Sequence, residues 1–171
     1  MVYGDSNSWG FPSDGSGLRY DEATRWPTVM AAALGAVLVE EALPGRTTVH
    51  DDPELHGAVM NGLTHLPVAL HSHGPLDLLL IKLGTNDFKA RFAPDADRIA
   101  ANIARLVVCA RQIGGGPGPW DGGVAPRIAV VVPPPLPAQV DTPRFERRAE
   151  WRGGRAASLG LAEAGGRVLA P

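Results

Sequence analysis

The stretch Asp77-Leu78-Leu79-Leu80-Ile81-Lys82-Leu83-Gly84-Thr85-Asn86-Asp87 decides the fold. Its first part is a near-continuous apolar run, as expected of a central parallel strand covered on both faces. Its second part is a polar turn beginning at glycine, so the chain leaves the sheet there. Working outward, Val2-Tyr3 runs straight into Gly4-Asp5-Ser6 and reads as the stub of another strand. Residues 24–34 read as a helix stopped by Gly35, and 36–41 as a second strand. Residues 53–73 suit a helix broken at Gly62 and Pro67. Residues 95–113 form an amphipathic pattern with Ile99, Ile103, Leu106 and Ala110 on one side. A glycine- and proline-rich loop follows at 114–123, then a buried strand at 127–132 ended by Pro133-Pro134-Pro135. Residues 145–164 look helical, with weak spots at Gly153, Gly154 and Gly160, and 167–170 read as the start of a fifth strand.

Strands alternating with helices predict an α/β fold: a parallel sheet of about five strands with helices on both faces. No internal repeat or long linker divides residues 1–171, so one domain is expected. In such sheets the working loops sit at the carboxyl ends of the strands. Here those loops begin at Gly4, Leu43, Gly84 and Pro133.

Composition narrows the function. The formal charge is -2 and no basic stripe is visible, which argues against nucleic acid as a partner. The longest apolar run, 30–39, is about half of what a bilayer crossing needs, so no membrane partner is expected. The N-terminus lacks a basic region followed by an apolar stretch, so the chain reads as cytoplasmic. The single cysteine, Cys109, excludes an internal disulfide and reads as a buried, inert thiol. His71-Ser72-His73 with His50, His56, Asp51 and Asp52 is poor metal spacing, and no metal or other cofactor is expected. The 114–118 glycines follow a helix and lack a Gly-Lys-Ser/Thr ending, so they are not a phosphate loop.

Three loops carry complementary chemistry: Gly4-Asp5-Ser6-Asn7-Ser8-Trp9-Gly10, Pro44-Gly45-Arg46-Thr47-Thr48 and Gly84-Thr85-Asn86-Asp87. A serine hydroxyl attacks an ester only when a base takes its proton. The oxyanion so formed needs N–H donors already in place. The Ser6 N–H, the Gly45 N–H and the Asn86 side-chain amide are the candidates, with glycine permitting close backbone approach. Asp5 reads as the residue that fixes its turn, and Asp87 as a brace or cap for the Asn86 loop. Arg46 is either a pocket residue or the partner of an acid. Trp9 either lines the pocket or packs beneath the loop, and Trp26 reads as core or helix start.

These blocks resemble the GDSL/SGNH serine hydrolases. Gly4-Asp5-Ser6 with Trp9-Gly10 matches the first block, Gly45 the second, and Gly84-Thr85-Asn86-Asp87 the third. Residues 39–43, 45–48 and 51–53 are similar to the branch of bacterial arylesterases and acyltransferases acting on small esters. The resemblance implies a flavodoxin-like three-layer α/β/α fold, Ser6 as nucleophile, and Ser6, Gly45 and Asn86 as oxyanion hole. It implies a small-molecule ester substrate, with acyl transfer to alcohols as a second outcome, and it admits a homo-oligomer.

One block of the family pattern is missing. The family carries Asp-x-x-His near its C-terminus, yet no Asp or Glu here is followed by His three positions on. All five histidines fall within 50–73. The expectation is a C-terminally incomplete, truncated domain with weak turnover, or alternatively a non-catalytic module that binds acyl or acetylated ligands. His50, after the Gly45 loop, would substitute as base only within hydrogen-bond reach of Ser6.

Overall fold

A computed structural model describes residues 1–13, 16–113 and 125–169. Its centre is a four-stranded parallel sheet. The strands are β1 (Val2–Gly4), β2 (Glu40–Ala42), β3 (Leu78–Lys82) and β4 (Arg127–Val130), in the order β2-β1-β3-β4. The first strand in sequence is therefore interior. Tyr3 is in register with Glu41 on one side and Ile81 on the other.

The helices are α1 (Ser6–Trp9), α2 (Trp26–Leu34), α3 (Gly62–His73), α4 (Ala96–Ile113) and α5 (Gly154–Leu169). Tyr3, Leu79 and Ile81 point to one face of the sheet. There they meet Leu66, Ala69 and Leu70 of α3 and Leu106, Val107 and Ala110 of α4. Toward the N-terminal end of α4, Ile99, Ala100 and Ile103 pack with Phe88 and with Ala157, Leu161 and Ala164 of α5. Burying each large aliphatic side chain contributes about 1.5–3 kcal/mol, so this double cluster anchors the sheet. The opposite face presents Val2, Leu78 and Leu80 toward Met30, Ala31 and Leu34 of α2, across a cavity of about 450 Å³.

Local signals account for most boundaries. Pro27 enters α2 in its first turn, where the missing N–H costs nothing, and Gly35 ends it in the left-handed conformation. Asn61 caps α3 by accepting from the Thr64 N–H. No helix among the described residues is long and apolar enough to cross a membrane.

Several expectations change. The second strand is shorter and later than 36–41, because Val37 is 95% exposed and only Glu40–Ala42 joins the ladder. Gly62 starts α3, and the helix runs on through Pro67. An interior proline costs about 3 kcal/mol, and burial of Leu66, Ala69 and Leu70 around it offsets that loss. The helix expected at 145–164 begins only at Gly154; Gly153 has φ +82°, and residues 145–152 form turns. Residues 167–169 close α5, so the fifth strand expected there is helix, and the described sheet has four strands. The loop expected at 114–123 and the last two residues lie outside the described part.

Candidate active site

Because β1, β2 and β3 are parallel, their carboxyl ends share one edge, and the loops leaving them meet there. Ser6 is the first residue of α1. Asp5 caps it in an extended conformation, its carboxylate accepting from the Asn7 N–H at 2.9 Å and the Asn7 side chain at 3.1 Å. The aspartate is fully buried, so the turn that presents Ser6 is held from beneath.

The second loop is a tight turn. The Arg46 N–H donates to the Leu43 carbonyl at 3.1 Å, with Pro44 and Gly45 at the corners. Gly45 has φ +92°, which a type II turn requires of its third residue and which a side chain would strain. The third loop is a single 3-10 turn, Asn86–Phe88. The Asn86 amide donates one hydrogen to the Arg46 carbonyl at 3.0 Å, leaving its second N–H for a ligand.

Ser6, Gly45 and Asn86 line one cavity of about 680 Å³. Among the described residues, neither the Ser6 N–H nor the Gly45 N–H donates to another backbone group. Ser6 therefore shares one concave space with Gly45 and Asn86.

Asp87 is fully buried and accepts from the Thr48 N–H at 3.0 Å and from the Thr48 hydroxyl. It thus ties the third loop to the second. Burial pushes its pKa up, against the opposing pull of Thr48 and His50.

Trp9 and Arg46, weighed as pocket residues, and His50, weighed as a substitute base, do not line this cavity. Trp9 packs its ring against Phe11, centroids 6.4 Å apart, beneath the Arg19 guanidinium at 4.7 Å; Phe11 is the lining residue. Arg46 is buried and faces away, its guanidinium donating to the Gly4 carbonyl at 3.3 Å and to the Glu41 carbonyl. His50 stacks on Phe92, centroids 4.7 Å apart, with Nε2 3.7 Å from the Asp87 carboxylate. None of the five histidines lines the cavity.

The sequence did not disclose the opposite wall. Leu136, Val140, Phe145 and Trp151 supply apolar surface, and Lys89, Arg91, Arg147, Glu54 and Glu150 supply charge. The charges are mutually paired around buried Asp52. Lys89 Nζ lies 3.3 Å and Arg91 Nη2 3.1 Å from its carboxylate. Arg91 also bonds Glu54, and Arg147 Nε donates to Glu150 at 2.7 Å. Burial opposes ionisation of Asp52 and Glu150, but the neighbouring cations outweigh it and hold both carboxyls below their ordinary values. The signal for this wall was weak because its members sit far apart in sequence, several within turns expected to be helix.

Residues 2–166 match the model of the GDSL-like lipase/acylhydrolase family. No curated protein matches the chain. Among solved structures, Est24, a carbohydrate acetylesterase from Sinorhizobium meliloti, is similar at 40% identity and TM-score 0.87, over 98% of this chain and 77% of that one. The native aryl esterase of M. smegmatis is similar at 36% identity and TM-score 0.86, over 98% and 77%.

Proposed function

This chain belongs to the GDSL-like lipase/acylhydrolase family, and from that premise we propose that it takes small carboxylic esters at Ser6 through an acyl-serine intermediate. The observation that carries the reading is the shared cavity: Ser6 opens into it beside two unengaged backbone donors and the Asn86 amide. The Ser6 oxygen attacks the carbonyl as its proton leaves to a base, and the oxyanion falls among the three donors. Collapse breaks the ester C–O bond and releases the alcohol, which takes up a proton. Water then cleaves the acyl-serine, freeing the acid. An alcohol attacking in place of water would give a new ester.

Both similar structures bear the names of ester-cleaving enzymes, one acting on carbohydrate acetyl groups and one on aryl esters. A self-neutralised wall of Lys89, Arg91, Glu54 and Glu150 suits an uncharged, hydroxyl-bearing alcohol portion better than an anionic one.

A second reading, a non-catalytic module binding acyl or acetylated ligands, is favoured by the lack of any histidine lining the cavity. On that reading, ligand binding is retained with at most weak turnover, since an oxyanion hole alone leaves residual rate. The test is intact-mass detection of a fluorophosphonate adduct. One adduct on the parent and none on Ser6→Ala supports the acyl-serine reading. Burst-free hydrolysis of p-nitrophenyl acetate that survives Ser6→Ala counts against it.

A further inference from the structure

Arg46 is a buried cation with an incomplete electrostatic explanation. Its nearest carboxylate, Glu41, is 3.9 Å away, and burial pulls the guanidinium pKa down. Burying a charge costs several kcal/mol unless it is well paired, so packing alone is a poor reason for an arginine here. A single guanidinium nitrogen, Nη1, instead reaches main-chain groups of two strands: the Gly4 carbonyl ending β1 and the Glu41 carbonyl in β2. The guanidinium lies over the Tyr3 ring at 4.2 Å, and the Tyr3 hydroxyl donates to the Gly62 carbonyl at 2.7 Å. The Gly4 carbonyl also accepts from the Leu43 N–H, at the start of the Gly45 turn. At its other end, Arg46 offers its own carbonyl to the Asn86 amide at 3.0 Å.

From these contacts we infer that Arg46 is a positioning residue for the oxyanion hole. Its side chain fixes the Pro44-Gly45 turn against the strand that presents Ser6, and its carbonyl aims the Asn86 amide. It reaches all three donor-bearing loops while touching no substrate, because it lies behind the cavity. Nη1 lies one bond farther along its side chain than a lysine ammonium, and the planar guanidinium also stacks on Tyr3, so lysine cannot reproduce both contacts. The inference rests on the acyl-serine reading for its catalytic meaning, but its geometric content stands apart from it.

The experiment follows two signals in the parent, Arg46→Lys and Arg46→Ala: the NMR resonances of the Gly45 N–H and Asn86 side-chain amide, and the concentration dependence of fluorophosphonate labelling. In Arg46→Lys both resonances are expected to move while the rest of the spectrum keeps its dispersion. The maximal labelling rate is expected to fall about 10²-fold, as for a displacement of about 1 Å, with half-saturation within two-fold of the parent. In Arg46→Ala, methylguanidinium is expected to restore resonances and rate, and methylammonium to restore neither. Unmoved Gly45 and Asn86 resonances overturn the inference, as does a loss confined to half-saturation. General collapse of the spectrum in both variants also overturns it, since Arg46 is then a strut for the whole fold. A parent that takes no label sinks the acyl-serine reading alone, and the resonances still decide the role of Arg46.

Discussion

The two walls of the cavity are built on different principles. The Ser6 wall consists of three short loops, each leaving a parallel strand, and its donors are mostly main-chain. Facing it, the Arg91 and Glu150 wall consists of side chains from 52–55, 89–91 and 136–151, joined by charge. One wall is fixed by the sheet and needs few residue identities. The other is fixed by mutual neutralisation, so each member depends on the rest. In the proposed function, ester chemistry belongs to the first wall and discrimination among alcohols to the second.

After Ser6 itself, the largest effect expected from a single side chain on the Ser6 wall is at Asn86. Asn86→Ala should slow fluorophosphonate labelling about 10²–10³-fold, read by intact mass against time. A loss under three-fold would remove the amide from the oxyanion hole. Across the cavity, Asp52→Ala should leave Lys89 and Arg91 without their shared partner and cost about 3 kcal/mol in urea unfolding. Unchanged unfolding would mean that the second wall is a rim of independent surface charges. A smaller effect, a few-fold, is expected for Glu150→Gln on protection from labelling by acetylated polyols, with phenyl acetate protection unaltered. Equal changes for both would erase the division of labour.

The mildest test is pH. Asp52 has its pKa lowered, so it contributes stability above the unfolded value near 3.8 that is lost as pH falls through the folded one. Asp87 has its pKa raised by burial, so its contribution has the opposite sign: full below the unfolded value and lost as pH rises through the folded one. On acidification the parent should therefore lose ground to Asp52→Asn and gain ground on Asp87→Asn, followed by urea unfolding from pH 7 to pH 3. Parallel slopes for both variants would contradict this contrast.

What was legible in the sequence follows the same division. Gly4-Asp5-Ser6, Gly45 and Gly84-Thr85-Asn86-Asp87 are local turn chemistry, readable because short loops after apolar runs have few alternatives. The apolar run of β3 and the Ile99, Ile103, Leu106 stripe of α4 were readable for the same reason. The second strand was misplaced because Val37 and Leu38 look like strand residues, and only pairing with β1 selects Glu40–Ala42. The fifth strand failed because Val168-Leu169 suits strand or helix equally, and packing on α4 and Val130 decided it. Lys89, Arg91 and Glu150 look like ordinary surface charges until residues tens of positions apart are brought together.

The position of β1 between β2 and β3 has a consequence for how the site comes into being. Its three residues cannot be hydrogen-bonded on both sides until residues 78–82 have left the ribosome and crossed back over the chain. Pairings of such sequence separation raise contact order and slow folding. The Ser6 turn, though synthesised before residues 78–82, is thus completed only after them, so shorter chains should carry a serine with no cradle around it.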